Sequence, residues 1–422
     1  MADVVVIGGG LAGLAASIHL AKAGFRVQCI EPEAGESEAV GESLDWSAPA
    51  LLEALGLPME RLIDENFATY KRKVTVKLPD GTVQNYIPGE WLAQPPYNVE
   101  LRTLHVDRNR LDRAIREIAV AQGVEIVEDR VVEIEKDGKR VAAVKTASGR
   151  QIPATWFIDA SGSAASLFPR DFHLPVFAYG PKKVGMWAYF KVPDSVEGTT
   201  LYMDPQPPYM EWLWEIPVHP NEISVGFMAS GDTIKEQRQR GLSVDDIFRD
   251  RLSRIPRFLE LLPPGAISPR VTSFQCRVHS GLAGPNWLVA GESASMVDPM
   301  TANGVTAALR HAAEAAALIV RSRHRRSLPY LARTMYSKRI VDLGRFFNCG
   351  IERTIYDRAI RNRIGVLMAG RVYTVPAWVL NSIYSRLRPD GPVSTVLYGF
   401  MLAMLRAASA VFSAVSRRER VD

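Results

Sequence analysis

Val4-Val5-Val6-Ile7-Gly8-Gly9-Gly10-Leu11-Ala12-Gly13 decides the fold. Four β-branched residues in a row suit a strand buried on both faces. The glycines form the turn after it, and Leu11 to Lys22 reads as an Ala/Leu-rich helix stopped by Gly24. A second strand, 25–30, leads to Glu31. In this βαβ opening Gly8 permits the tight turn, Gly10 lets the backbone approach a pyrophosphate, and Gly13 lets helix and strand pack closely. Unpaired N–H groups and the positive helix end, near Ala12, then attract the anion. Glu31 follows Gly13 by 18 positions. It can accept hydrogen bonds from ribose hydroxyls, and its charge repels a 2′-phosphate. The pattern is that of a dinucleotide site.

Further along, 107–135 reads as helix then strand, and two short strands flank Asp137-Gly138. Residues 154–162 form another apolar strand, closing in Asp159-Ala160-Ser161-Gly162. From Lys183 to Ser230 short alternating runs punctuated by Pro and Gly predict an antiparallel sheet rich in aromatic side chains. Nucleotide-binding texture returns at 287–291, with Glu292 next and an Ala-rich helix after Gly304. The expected class is α/β: a Rossmann-like FAD/NAD(P)-binding domain, an antiparallel-sheet substrate domain and a helical C-terminal region. The expected boundaries are 1–175 with 270–326 for the nucleotide domain and 176–269 for the substrate domain, which 60–105 joins. Residues 327–422 form the basic helical region.

At 422 residues, 47% hydrophobic and 23% charged, the chain has enough apolar material for two or three cored domains and is not disordered. Cys29, Cys276 and Cys349 show no CxxC spacing, which excludes a disulfide framework and a cysteine-rich zinc site; no metal is expected. That usage suits a reducing cytoplasm. No basic stretch precedes the first apolar run, so no secretory signal is expected, and the expected location is cytoplasmic. Residues 321–422 hold 19 Lys/Arg against 6 Asp/Glu, on a chain of net charge +5. A basic tail on an acidic body suits an acidic partner surface or a membrane face. Nucleic acid is excluded as a partner, because no basic stripe is interleaved with stacking aromatics. The 393–405 run is followed by Arg406 and is short of the roughly 20 residues a span needs. A packed or interfacial helix is expected there rather than a membrane-spanning one.

Taken together, Gly8 to Gly13, Asp159 to Gly162, and Ala290-Gly291-Glu292 with Asp298-Pro299 and Gly304 resemble the FAD-binding elements of the p-hydroxybenzoate hydroxylase-type flavoprotein monooxygenases. The resemblance implies FAD, with the first turn on its ADP part. Arg108, in Arg108-x-x-Leu111-Asp112, would reach the ribityl-pyrophosphate portion, and Asp298, Gly304 and Val305 would lie beside the isoalloxazine. Glu292 stands where the family has an Asp, one methylene shorter, at the ribityl chain. The helix from Gly304 would stabilise negative charge on the reduced flavin.

Trp212-Leu213-Trp214-Glu215-Ile216-Pro217 matches the WxWxIP motif of the flavin-dependent halogenases, and Gly41-Glu42-Ser43 resembles their Gly-Glu-Ser segment near the flavin, which puts Ser43 at the cofactor. Lys71 falls where that family carries a lysine that positions hypohalous acid; Lys73 is two positions away. On the halide side Thr301 and the Gly304 amide are available, but Ala302-Asn303 stands where a Ser-Thr pair is expected. The resemblance therefore implies an FAD-dependent monooxygenase of the halogenase-like branch. Its first expected reaction is hydroxylation of an indole- or phenol-like ring through a flavin C4a-hydroperoxide. The alternatives are halogenation using Lys71 and, from another class, a membrane-associated isoprenoid reductase. Trp187, Trp212 and Trp214 are expected at the substrate pocket, and Glu215 and His279 as proton handlers. One small branch of these flavoproteins hydroxylates tryptophan within a peptide during tryptophylquinone maturation; an indole-rich sheet with a basic docking layer fits a ring presented on an acidic protein or carrier. A separate flavin reductase or NAD(P)H would supply electrons.

Overall fold

The computed structural model describes residues 2–32, 40–87, 93, 102–193, 195, 197–205, 207 and 209–356. The basic region beyond 356, with the apolar 393–416 stretch, lies outside the described residues.

Two large sheets organise the chain. One is seven-stranded, and its parallel centre is 125–128, 27–31, 2–7, 151–159 and 287–289. The hairpin 131–137/140–146 extends it antiparallel through the first residues of the long strand. Val4, Val5 and Val6 are fully buried, as a parallel strand with helices on both faces requires. Leu11–Lys22 is a helix as the sequence predicts, and it packs against the helix Gly304–Arg321. Helix Arg108–Ala121 starts where the Asp107 carboxylate caps it by accepting from the Arg110 amide. Strand Gln151–Asp159 stops before 162 because the Asp159 carboxylate accepts from the Ser161 amide and turns the chain.

The second sheet is eight-stranded, in the order 295–296, 270–279, 176–191, 222–230, 211–219, 199–204, 74–77, 83–86. Residues from 74 to 86 thus lie in the aromatic sheet, with 74–77 running parallel to 199–204. Successive side chains of Glu211–His219 point to opposite faces. Trp212, Trp214, Ile216 and Val218 pack in one apolar cluster, while Leu213 packs in another beneath the helices of 231–259. The strand is buried on both sides, so its two faces do different things.

A third, two-stranded sheet pairs Ala68–Tyr70 with Leu104–Val106 where the large sheets meet. Helix Tyr330–Ile351 and the turn Glu352–Tyr356 after it close the described chain, and Phe346 and Ile351 pack into the apolar cluster of the aromatic sheet. Among the described residues no helix is long and apolar enough to cross a membrane.

Candidate functional site

A cavity of about 530 Å³ runs between the two large sheets. At one end lies the glycine turn. Gly8 has φ +99°, and a Cβ at Gly13 would collide with the Gly8 carbonyl oxygen. Both positions therefore need glycine, whereas Gly10 faces open space on the cavity wall, with Leu11 and Ala12 beside it. Arg108 lines the cavity too. Its guanidinium is fixed by Asp112 at 3.1 Å and by the Val40 carbonyl at 2.9 Å, so it presents a positioned cation. Gly162, Ser163 and Glu292 also line the cavity, and the Ser163 hydroxyl donates to Glu292 at 3.1 Å.

At the far end the Pro299–Val305 loop opens helix Gly304–Arg321. Thr301, Asn303, Gly304 and Val305 all line the cavity. Asn303 is buried, and its Oδ1 has no hydrogen-bond partner among the described residues. The wall continues through Trp212 and Trp214, whose ring centroids lie 5.6 Å apart. Their indole N–H groups donate to Tyr356 at 2.9 Å and Ser224 at 3.3 Å, so each ring keeps a fixed orientation. Trp187 belongs to the same apolar cluster but does not reach the wall.

Lys71 is the unusual wall residue. It follows strand Ala68–Tyr70 and is 5% exposed, with its Nζ donating to the Leu44 carbonyl at 2.9 Å and lying 5.6 Å from the Trp46 ring. Burial lowers its pKa to about 8, against the opposing pull of Asp45. Lys73 sits near the surface beside Glu197, at 3.9 Å. Close by, Glu42 is buried and accepts from the Tyr189 hydroxyl at 2.8 Å; burial raises its pKa. Ser43 lines the cavity and meets Thr199, which meets the buried His105.

Several expected site residues stand elsewhere. Glu215 is buried on the other face of its strand, 2.7 Å from Arg257 and 3.0 Å from the Tyr202 hydroxyl. The two-residue period that aims both tryptophans at the cavity aims Glu215 away, so it does not handle protons there. His279 is also off the wall, buried in strand Arg270–His279. Asp298 turns its carboxylate from the cavity onto Lys183 Nζ, 2.5 Å away and equally buried. It anchors the loop rather than touching what the loop covers. Asp159 is spent on the Ser161 and Phe168 amides and on Ser293, holding the turn whose Gly162 lines the wall. Glu31 adjoins Gly9 at the edge of the turn and is ion-paired with Arg116. Arg116, Trp46, His105, Thr199 and Lys183 carry no motif and were not anticipated. The sole signal for any of them was the proximity of Asp45-Trp46 to Gly41-Glu42-Ser43.

A parallel sheet with a glycine cradle, joined through an elongated cavity to an aromatic antiparallel sheet, defines an FAD-type flavoprotein. The tryptophan halogenase family matches residues 93–328, and the chain belongs to that family. Residues 3–182 also match the lycopene cyclase protein family. A tryptophan 2-halogenase of Chondromyces crocatus is 29% identical over 329 residues, covering 75% of this chain and 60% of that protein. The chain thus spans about 60% of the length of that curated relative. A 1H-pyrrole-2-carbonyl-[peptidyl-carrier protein] brominase of Pseudoalteromonas luteoviolacea is 26% identical over 329 residues, 74% of this chain and 76% of that one. Among solved structures, the flavin-dependent brominase Bmp2 superposes with TM-score 0.72 at 21% identity and covers 100% of both chains. The flavin-dependent halogenase CmlS gives 0.71 at 22% identity, over 99% of this chain and 78% of that one. Both likenesses concern the fold.

The chain is accordingly an FAD-dependent enzyme of the halogenase-like branch. Its residues fit the cofactor. The open Gly10 face and Arg108 suit a diphosphate, and the orphaned Asn303 Oδ1 beside a helix start suits a polar ring edge.

Proposed function

We propose that this protein halogenates an electron-rich aromatic ring, a phenol, pyrrole or indole, with Lys71 positioning the electrophile. Hydroxylation, the first expectation from the sequence, gives way to the alternative. The observation that carries this is the buried Lys71 amine on the cavity wall. A buried cation opposes folding unless something repays its desolvation. Oxygen transfer draws its reactivity from the cofactor and needs no such group, whereas halogen transfer does.

Bound and reduced, FAD supplies the oxygen chemistry that converts halide to hypohalous acid. The turn at Gly8 to Gly13 and Arg108 would hold its diphosphate, while Asn303, Gly304 and Val305 would orient its ring end. Lys71 donates an N–H to the hypohalous oxygen and keeps the halogen pointed at the substrate. As the ring attacks, the carbon–halogen bond forms and the oxygen–halogen bond breaks. The departing hydroxide takes a proton from the Lys71 ammonium and leaves as water. Trp212, Trp214 and the surrounding apolar residues exclude bulk water, which would otherwise disperse the oxidant. The partners that fit are a reductase delivering reduced flavin and a ring presented free or on a carrier, as the pyrrole brominase's name describes for that relative.

Supplying reduced FAD, oxygen and bromide with indole or phenol, then weighing the products, tests this. Bromine isotope doublets are expected; a gain of one oxygen with no bromine would refute it.

The same lysine sets a pH limit. Below about 8 it is the ammonium that the transfer requires, and above that value the amine prevails. Brominated product per flavin oxidised should hold level below that point and fall about tenfold per pH unit well above it. A yield that climbs with pH through the same range would assign the reaction to the neutral amine.

A further inference from the structure

A chain of hydrogen bonds leads from the cavity wall into the junction between the sheets and ends on an atom that can accept but not donate. Ser43 Oγ, on the wall, lies 3.1 Å from Thr199 Oγ1. Thr199 Oγ1 lies 2.8 Å from His105 Nε2, and His105 Nδ1 lies 3.3 Å from Thr69 Oγ1. Thr69 donates its hydroxyl proton to the Pro217 carbonyl at 2.6 Å. Thr199 and His105 are buried, His105 completely.

Pro217 fixes the direction of every bond before it. A hydroxyl has one proton, so Thr69, having given its own to the carbonyl, must accept from His105 Nδ1–H. Nε2 then carries a lone pair and accepts from Thr199. Thr199, its proton so used, accepts from Ser43. Ser43 is left facing the cavity as an acceptor, with an imidazole lone pair at the far end of the line. Elements distant in sequence supply the members: the loop after Gly41, the centres of strands Ala68–Tyr70 and Leu104–Val106, and the start of strand Thr199–Asp204.

We infer that Ser43, Thr199 and His105 form a proton relay that removes the ring proton during aromatic substitution in this cavity. The inference rests on ring substitution taking place beside Lys71. Once the new ring bond is made, the ring C–H bond breaks and its electron pair restores aromaticity. The proton passes to Ser43 Oγ, the Ser43 proton to Thr199, and the Thr199 proton to His105 Nε2, which becomes imidazolium. Meanwhile Lys71 has given its proton to the departing hydroxide and is neutral. Atoms and charge balance: ring-H and hypohalous acid become ring-halide and water, and one proton moving from His105 back to Lys71 resets the site.

The two groups are coupled in the sense this needs. Burial first, and the Lys71 charge second, hold His105 well below its usual pKa, so the imidazole waits neutral. Loss of the Lys71 proton removes that repulsion at the step when His105 must accept. The protonated ring intermediate is a far stronger acid than imidazolium, so a weakened base suffices. Ser43 is the member that would touch substrate; Thr199 and His105 act through it.

Two measurements test the relay. Histidine-selective nitrogen-15 NMR of the full chain, with His105 assigned by its loss in His105→Gln, should give the Nδ1–H tautomer, still neutral at mildly acidic pH. An Nε2–H tautomer would overturn the relay. The second compares indole with ring-deuterated indole under the bromination conditions. The wild type should have an isotope effect near one. Thr199→Val should lose about 10²-fold in product rate and acquire a primary isotope effect, and Thr199→Ser should recover both. A Thr199→Val protein with the wild-type rate and no isotope effect would overturn the inference. If indole gains oxygen instead of bromine, the halogenase reading fails, and the isotope comparison is made on that product, because hydroxylation expels the same ring proton.

Discussion

Lys71→Met should cut brominated product by about 10²–10³-fold, the scale seen when a catalytic hydrogen-bond donor is removed from a closed site. Flavin content and flavin oxidation should persist, since no bond from Lys71 supports the glycine turn or Arg108; its Nζ reaches the Leu44 carbonyl and the Trp46 ring. Stability should hold or rise, because methionine fills the buried stem without a charge to desolvate. Product mass spectra, flavin absorbance and a melting curve on one preparation measure all three. Lys71→Arg should not rescue, as a planar guanidinium cannot occupy a slot shaped for a compact ammonium. Full bromination by Lys71→Met would remove the lysine from the chemistry.

The second large effect concerns stability. Lys183 Nζ sits 2.5 Å from Asp298, 3.3 Å from Glu352 and 4.0 Å from the Tyr356 ring centroid. Tyr209 stacks on Tyr356 with centroids 4.7 Å apart and donates to Glu352 at 2.9 Å. Lys183→Met would strand two carboxylates beside each other with no cation. Breaking a buried pair this way costs about 3–5 kcal/mol, a large part of a domain's stability. The urea midpoint should fall accordingly, and adding Asp298→Asn should recover a good part of the loss. A single variant as stable as the parent would mean that water reaches the pair. Because Asp298 anchors the Pro299–Val305 loop, flavin retention should weaken alongside.

The sequence was most informative where one local pattern has one physical meaning. The Val4–Ile7 strand, the glycine turn and helix Leu11–Lys22 were legible because burial, backbone space and helical period agreed. The aromatic sheet was legible as alternation, and Trp212 and Trp214 do reach the cavity. Roles that depend on which way a side chain points were harder. Glu215 sits between two wall residues in sequence, and strand periodicity sends it outward. Asp298 was expected beside the flavin, but its partner Lys183 is more than a hundred residues away and no spacing rule connects them. His105, Thr199 and Thr69 were invisible for the same reason: pairing of two distant strands sets Thr69 beside His105, and Thr199 reaches His105 from a strand of another sheet.

The tail of helix Tyr330–Ile351 and the turn after it have a practical consequence for engineering. Phe347, Ile351 and Ile355 floor the chamber, and Glu352 and Tyr356 pin the loop at its end. A shortened version for crystallisation or library screening must keep everything through Tyr356, or the vessel in which the reaction runs would lose its bottom.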